Sequence, residues 1–235
     1  MELFWQAQFP LILIWAVIDN RKQVTMKPAI FLLVLIIVAK TLNAQSPEAG
    51  IQAGLNYSGA NGGLAENGKI NFKTGFTAGL VLDFAMRKGI HFQPSVNYTQ
   101  KGFGQSVNTA AVFINDFYKL NYAEFLFNFF YQSGDGVFEG IGPVLSWGLS
   151  GKYHTEYHDE LGQLIKQDGD VKFGDSYSQF GIKRAEVGLN GIFGKEFENG
   201  VFLSANIYYA ITHSVTNRNN LYFALKLGFK INKQD

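Results

Sequence analysis

Apolar and polar residues alternate with a period of two through most of the chain after Gln45. This alternation is typical of a β-strand with two different faces, because successive side chains point to opposite sides. The predicted strands cover residues 49–58, 76–84, 92–99, 122–131, 140–149, 184–193, 201–211 and 221–230. Most of them are longer than the usual ~5–6 residues of a globular sheet and match the roughly 9–11 residues of a tilted transmembrane strand.

The connections between these strands alternate in length. Long ones cover residues 59–73, 102–118 and 152–176, short ones cover 86–89, 132–136 and 195–200, and the last, 212–220, is intermediate. Outer-membrane barrels have this arrangement, with short turns at the periplasmic end and long loops outside. Because backbone groups in lipid must pair within the protein, such a sheet closes on itself. The sequence therefore predicts an all-β fold, an eight-stranded antiparallel up-and-down transmembrane β-barrel over residues 45–235, with both termini in the periplasm.

The segment before the barrel is typical of a secretory signal peptide. It begins at Met26 with a basic Lys27, continues through an unbroken apolar run over 29–39, and reaches a small residue at Ala44. A basic start, an apolar core and a small residue at the cleavage site define such peptides. We therefore predict that residues 26–44 are removed by cleavage after Ala44.

A further apolar run lies over residues 3–18, upstream of this segment. With Met26 as the true start, residues 1–25 are an upstream extension that results from gene-start choice. The alternative is a retained helix over 3–18, with Arg21 and Lys22 on its cytoplasmic side.

Composition excludes several classes of protein. The chain has no Cys, which excludes a disulfide-stapled scaffold, Cys-ligated zinc and a thiol nucleophile. Charged residues are 17% of the chain, below the roughly 25% of soluble domains, as expected for a surface that meets lipid. The net charge of +1 provides no basic field, so nucleic acid is not expected as a partner.

Four stretches resemble a known family when taken in order: FQPSVNYTQKG at 92–102, LNYAEF at 120–125, GIGP at 140–143 and LKLGF at 225–229. They are similar to the Bacteroidetes-type outer-membrane β-barrels, the PorT-like family, which is related in architecture to the small OmpX and OmpA barrels. Leu126 departs from the family, which usually has Pro there. The resemblance implies an outer-membrane barrel, and one branch of the family assists a secretion system that exports proteins across the outer membrane.

Charged residues also fall on the predicted inward face. They are Glu124, Arg184, Glu186 and Lys226, and Asp83 is a further candidate. We interpret them as a lumen polar cluster, because a narrow barrel is filled by side chains and its lumen is normally polar. The alternative is a proton or ion path, or a site for a small ligand, since charged groups within a membrane are often functional.

The longest predicted loop contains His154 and His158. Histidines at i and i+4 can share a metal ion if the segment is helical, but no other signal predicts a helix here. We therefore expect a solvated polar loop, no metal and no cofactor. No hydrolase, phosphate-loop or zinc-protease motif is present in the sequence, so the protein is expected not to be an enzyme.

The predicted function is that of a barrel in the outer membrane of a Gram-negative bacterium, with a structural or interaction role through its external loops. An open pore is not expected, because side chains fill an eight-stranded lumen. The expected partners of the monomeric barrel are outer-membrane lipid and another membrane or cell-surface protein. The aromatic run at 125–131 is interpreted as lipid contact outside and packing inside, and the alternative is a lipid-exposed strand that meets another membrane protein. The alternatives are an accessory barrel of an outer-membrane protein secretion system and a soluble lipocalin-like ligand carrier, which needs an apolar interior and a polar exterior.

Overall fold

A computed structural model describes residues 47–61, 68–108, 113–158, 162–174, 182–213 and 218–231. The predicted upstream extension (1–25) and signal peptide (26–44) lie outside these residues. Within the described segments, no helix is both long enough and apolar enough to cross a membrane. The strands, in chain order, are β1 (Glu48–Asn61), β2 (Gly68–Ala85), β3 (Ile90–Asn108), β4 (Phe113–Gln132), β5 (Val137–His158), β6 (Leu164–Asp170), β7 (Ala185–Glu196), β8 (Val201–Ala210) and β9 (Asn219–Lys230).

Eight of these strands form a closed antiparallel barrel. Each ring strand pairs with its neighbour in the order β1, β2, β3, β4, β5, β7, β8 and β9, and β9 returns to pair with β1. The predicted fold class is therefore confirmed. β6 was not predicted; it lies outside the ring and pairs with the end of β5, from Lys152↔Asp170 to His158↔Leu164.

The stagger of the barrel follows from the strand registers. Starting at Gly50 on β1 and stepping from each residue to its cross-strand partner on the next strand, one complete circuit of the ring returns to β1 at Ala60. The stagger of the barrel is therefore ten residues. With strands about 4.8 Å apart and about 3.3 Å per residue, this stagger gives a strand tilt of about 40° and a backbone radius of about 8 Å. A barrel of this radius has room inside for side chains and little else.

The long connections were wrongly predicted as loops over most of their length. β3 continues to Asn108, β4 starts at Phe113 and β5 continues to His158, so these strands have 19, 20 and 22 residues. β8, on the opposite wall, has 10. We call residues 100–108, 113–121, 150–158 and β6 the extended sheet. Its alternation is weak in sequence because residues on both of its faces are mostly half-buried or exposed.

The two faces of the ring have opposite chemistry. Large apolar side chains are exposed on the outside of every ring strand; Leu55 and Leu225, for example, are each 65% exposed. Inward side chains are buried and many are polar, with Glu124 and Asn190 at 0%. The fold thus has an apolar exterior and a polar, filled interior.

Glycines on the inward face allow the neighbouring strand and side chains to approach closely. A Cβ atom on Gly54 would lie 2.0 Å from the Leu225 carbonyl oxygen, and one on Gly228 would lie 2.0 Å from the Phe202 ring. The other inward glycines at which a Cβ would come within 2.6 Å of another atom include Gly79, Gly142, Gly148 and Gly188. The high glycine content is therefore a packing requirement of the narrow lumen.

We predict that Gly54→Ala destabilises the barrel at the upper end of the roughly 1–3 kcal/mol range for overpacked sites, because the obstructing atom belongs to the backbone. Gly191→Ala is the matched control, since the nearest atom to its Cβ would be the Ile207 carbonyl oxygen at 3.9 Å. That variant should change the free energy of unfolding by less than about 0.5 kcal/mol. Urea titration of the refolded barrels measures both values, and equal stability of the two variants would contradict this account.

Candidate functional site

A buried ion cluster crosses the lumen and centres on Lys101 of β3. Its Nζ lies 2.8 Å from Glu124 Oε1 on β4 and 2.8 Å from Glu186 Oε1 on β7. Lys101 also donates to Ser146 Oγ at 3.3 Å, and Ser146 donates to Glu124 at 3.1 Å. All three charged side chains are at most 2% exposed. The cluster therefore connects opposite walls of the barrel.

Aromatic hydroxyls and an amide complete the coordination of the two carboxylates. Tyr222 donates to Glu124 Oε2 at 3.0 Å, Tyr208 donates to Glu186 Oε1, and Asn220 donates to Glu186 Oε2 at 2.6 Å. The Lys101 ammonium also lies over the rings of Tyr122, Tyr208 and Tyr222, at 4.5, 4.1 and 5.5 Å from their centroids. Both carboxylates are hydrogen-bonded and the ammonium group is enclosed by aromatic rings. The arrangement therefore acts as a structural crosslink between strands of the barrel.

The structure brings together only part of the predicted lumen polar cluster. Glu124 and Glu186 meet at Lys101, whereas Lys226 is buried in the same lumen and has no ion pair within 4.0 Å among the described residues. Arg184 lies elsewhere: its guanidinium is 5.8 Å from the Trp147 ring and donates to the Phe173 carbonyl oxygen at 3.4 Å. Arg184 is half-buried and stands one residue before β7 begins at Ala185.

Asp83 belongs to a second cluster, at the end of the barrel with the short turns. There Lys230 Nζ binds Glu48, Asp83 and Glu196 at 2.8, 2.5 and 2.7 Å. The Asp83 carboxylate also contacts His91 Nδ1 at 2.9 Å. This cluster joins β1, β2, β3, β7 and β9, so it fixes the first and last strands of the ring to each other.

Side chains fill the described lumen between and around these two clusters. Amides bridge it, with Asn190 donating to Asn128 at 3.0 Å and to Asn206 at 3.2 Å, and Gln52 donating to Asn97 at 2.8 Å. An apolar layer packs towards the short turns, formed by Val81, Phe130, Phe138, Ile192 and Phe202. Another packs towards the long hairpins, formed by Ala60, Phe103, Leu120, Tyr122, Val171 and Ile182. These layers leave little space for a ligand or a water column.

Sequence reasoning missed Lys101, the centre of the first cluster. The predicted third strand ended at Thr99, and Lys101 was the next residue of the same inward parity. Extending the alternation by two residues would have identified it. Lys230 is the last residue of the predicted strand 221–230, but nothing in the sequence indicated that three acidic residues from other strands surround it.

The two histidines lie on a strand and not on a helix. Residues four apart on β5 are about 13 Å apart along the strand, so His154 and His158 cannot share one metal ion. The His154 ring donates to Asp168 at 2.6 Å, and His158 stacks on Phe113 with a centroid distance of 4.9 Å. Over the residues that the structure describes, no group of three or more acidic or histidine side chains could hold a metal ion.

The partners of His154 change its titration. Its hydrogen bonds to Asp168 and Glu156 raise the pKa of the imidazole above the ordinary value of 6.5. The hydrogen bond from Lys166, followed by that from His154, lowers the pKa of the Glu156 carboxyl. Because the histidine pKa is raised, its stabilising effect on the β5–β6 hairpin is complete below the unfolded pKa and is lost as pH rises through the folded pKa.

The chain matches no family model and no curated protein sequence. It is similar in structure to Ail, the attachment invasion locus protein of Yersinia pestis, solved in complex with the heparin analogue sucrose octasulfate, at 12% identity and a TM-score of 0.41, over 80% of this chain and 100% of that one. Neisserial surface protein A shows 14% identity and a TM-score of 0.40, over 78% of this chain and 97% of that one. The outer membrane protein OprG from Pseudomonas aeruginosa shows 10% identity and a TM-score of 0.33, over 81% of this chain and 98% of that one.

We predict that Lys101→Met destabilises the barrel by about 3–5 kcal/mol, because it leaves two buried carboxylates without their cation. Adding Glu124→Gln and Glu186→Gln to that variant should restore most of the loss, since the repelling charges are removed. Lys195→Met, at an exposed lysine, is the control and should change little. The free energy of unfolding in urea measures each step, and an unchanged stability of the single variant would refute the crosslink.

Proposed function

We propose that this protein is a transmembrane barrel of the outer membrane of a Gram-negative bacterium, and that it acts as a structural or interaction protein through the extended sheet. It works as a filled barrel and not as an open pore, and it catalyses no reaction. The observation that carries the proposal is the exposed apolar belt around a closed ring with a polar, filled lumen. A soluble protein rarely exposes a contiguous apolar patch larger than a few hundred Å².

The dimensions of the belt support insertion in a bilayer. At a tilt of about 40° each residue rises about 2.5 Å along the barrel axis, so ~10 residues cover the roughly 25 Å apolar band of such barrels. β8 has this length, and its outward residues are apolar throughout. Aromatic side chains lie at both margins of the belt, as in membrane barrels with aromatic girdles. Exposed aromatics near the long hairpins are Tyr57, Tyr98, Trp147 and Tyr209, and those near the short turns are Tyr131, Phe193 and Phe229.

The polarity of the two faces argues against the lipocalin-like alternative. A soluble carrier binds its apolar ligand inside and presents polar residues to water. Here Glu124, Glu186 and Lys101 are inside, whereas Leu80 and Leu225 are each 65% exposed outside. For this sequence to form a soluble carrier, every strand would have to shift by one residue so that its apolar side chains point inward. The strand registers do not allow that shift.

The extended sheet is the part of the molecule best placed to meet a partner. β5 continues for about 30 Å beyond the level reached by a strand of the length of β8. We infer that this one-sided wall contacts another membrane or cell-surface protein. The resemblance of residues 92–102 and 225–229 to PorT-like barrels supports placing the chain in that group, with an accessory role in protein secretion as the second candidate.

We predict that the protein isolated from the outer-membrane fraction migrates differently on a denaturing gel before and after boiling, because the closed sheet resists detergent. In vesicles with brominated acyl chains, fluorescence from Trp147 should be quenched, since its ring is 47% exposed on the belt. In the barrel without residues 1–44, which contain Trp5 and Trp15, Trp147→Phe removes that signal. Trp147→Phe combined with Phe130→Trp moves the tryptophan into the lumen, where quenching should be weak. Recovery in the soluble periplasmic fraction without a gel shift would overturn the proposal.

We also predict that the barrel gives no stepwise conductance in planar bilayers, because the lumen is filled by the Lys101 cluster and the apolar layers. A porin incorporated in the same bilayers is the positive control for detection. Steady single-channel steps from the purified barrel would contradict a role without transport.

A further inference from the structure

The outward face of β3, β4 and β5 changes in character in three successive rows beyond the belt. The row at the margin of the belt pairs Tyr98 with Ala123 and Ala123 with Trp147. The second row pairs Gln100, Asn121 and Ser150, and the third pairs Gly102, Lys119 and Lys152. An aromatic row is thus followed by an amide and hydroxyl row and then by a cationic row.

The second row is a continuous chain of hydrogen bonds. Gln100 Nε2 donates to Asn121 Oδ1 at 3.2 Å, and Asn121 Nδ2 donates to Ser150 Oγ at 2.9 Å. This chain fixes polar groups at the level where the glycerol and carbonyl groups of a lipid would lie. It also separates the apolar belt from the lysines above it.

The third row places two positive charges directly opposite each other. Lys119 and Lys152 are cross-strand partners, and both side chains are exposed. Like charges in this position are destabilising. Neither lysine has an ion pair within 4.0 Å among the residues described, although Asp170 is the cross-strand neighbour of Lys152 on β6. Lys152 therefore has a carboxylate on its β6 side, whereas the cross-strand partners of Lys119 are Gly102 and Lys152, so Lys119 has no acidic partner in the row.

A third lysine extends the row towards β2. Lys73 Nζ lies 3.7 Å from the centroid of the Phe117 ring on β4, so its chain crosses β3 at Gly102. A Cβ atom on Gly102 would lie 2.8 Å from the Tyr118 carbonyl oxygen and 3.2 Å from the Lys73 Cβ, so glycine is the residue that fits there. A groove of about 630 Å³ runs along this face. Its charged lining residues include Lys73, Lys119 and Lys152 and, on the β6 side, Asp168 and Asp170, of which Asp168 is bonded to His154.

The height of the lysine row matches that of lipid phosphates. Each row lies about 5 Å further along the barrel axis than the one before, so the lysine backbone is about 10 Å beyond the aromatic row. The headgroup region of a bilayer occupies about 5–8 Å beyond the hydrocarbon on each side. Lysine side chains of this length reach down to that level when their stems lie along the protein surface.

We propose that Lys73, Lys119 and Lys152 form a binding site for the phosphate group of an outer-leaflet lipid headgroup. The proposal rests on the membrane location proposed above. The phosphate supplies an anion for Lys119 and Lys73 at the end of the row away from Asp170, Gln100 and Asn121 lie beside the lipid backbone, and the acyl chains continue down the belt. Bound lipid then anchors the barrel at a fixed depth, on the same wall that carries the extended sheet.

The test uses the barrel purified from the outer-membrane fraction, with its gel shift on boiling checked for every variant. Phosphatidic acid, whose headgroup is a phosphate monoester, is titrated into phosphatidylcholine nanodiscs that contain the barrel, and bound lipid is counted by native mass spectrometry. Lys119→Gln with Lys152→Gln should weaken phosphatidic acid binding by roughly 30-fold, on the basis of roughly fivefold per lysine near a membrane surface. The control, Lys88→Gln with Lys195→Gln, removes two exposed lysines from the opposite end of the barrel and should leave binding unchanged.

The outcomes separate the two proposals. A gel shift with equal phosphatidic acid binding in all variants overturns the lipid site and leaves the membrane location standing. Loss of the gel shift in the unaltered protein, together with recovery in the soluble fraction, overturns the membrane location itself. Inorganic phosphate forms the second arm: displacement of the lipid by phosphate at equal concentration overturns the lipid as the source of the anion, and failure to displace it supports the lipid.

Discussion

A β-sheet whose outer face meets hydrocarbon has no water to bond the N–H and C=O groups of a free edge, so every edge strand must find a partner. Here the pairings of β4 with β5 and of β1 with β9 provide that closure. Closing eight strands with a ten-residue stagger sets the radius of the barrel, and the radius decides which side chains fit inside. The lumen glycines, the buried charges and the absence of a wide channel in the described barrel all follow from this requirement.

Polarity inside the barrel has a structural use. The chain has no cysteine, and the hydrophobic belt contributes nothing to holding opposite walls together when lipid surrounds it. The Lys101 cluster joins β3, β4, β5 and β7, and the Lys230 cluster joins β1, β2, β3, β7 and β9. Ion pairs of this kind add little net stability over apolar packing, but they penalise any register in which a charge loses its partner. The two clusters therefore contribute mainly to the choice of one register.

The ring was predictable because its strands separate an apolar face from a polar one, which gives a clear period of two. The alternation is weak in residues 100–108, 113–121 and 150–158, because neither face of the sheet is consistently buried there. Most of these residues were therefore predicted as loops and not as strands. Glu124 and Glu186 were identified on the inward face, whereas Lys101 lay just past a predicted strand end and Arg184 just before an actual one. Which charges meet depends on the stagger of the ring, and no local pattern contains that information.

The pairing of β1 with β9 has a consequence for assembly. The first and last strands of the barrel are neighbours, and Lys230, at the end of β9, binds Glu48 at the start of β1. This seam joins residues that are 182 positions apart in the chain, so it cannot form until the final strand has been synthesised and delivered. Until then the sheet has two exposed edges, which invite pairing with other chains. The chain must therefore stay unfolded or shielded until it reaches the membrane. The last dozen or so residues of the barrel determine when the ring closes.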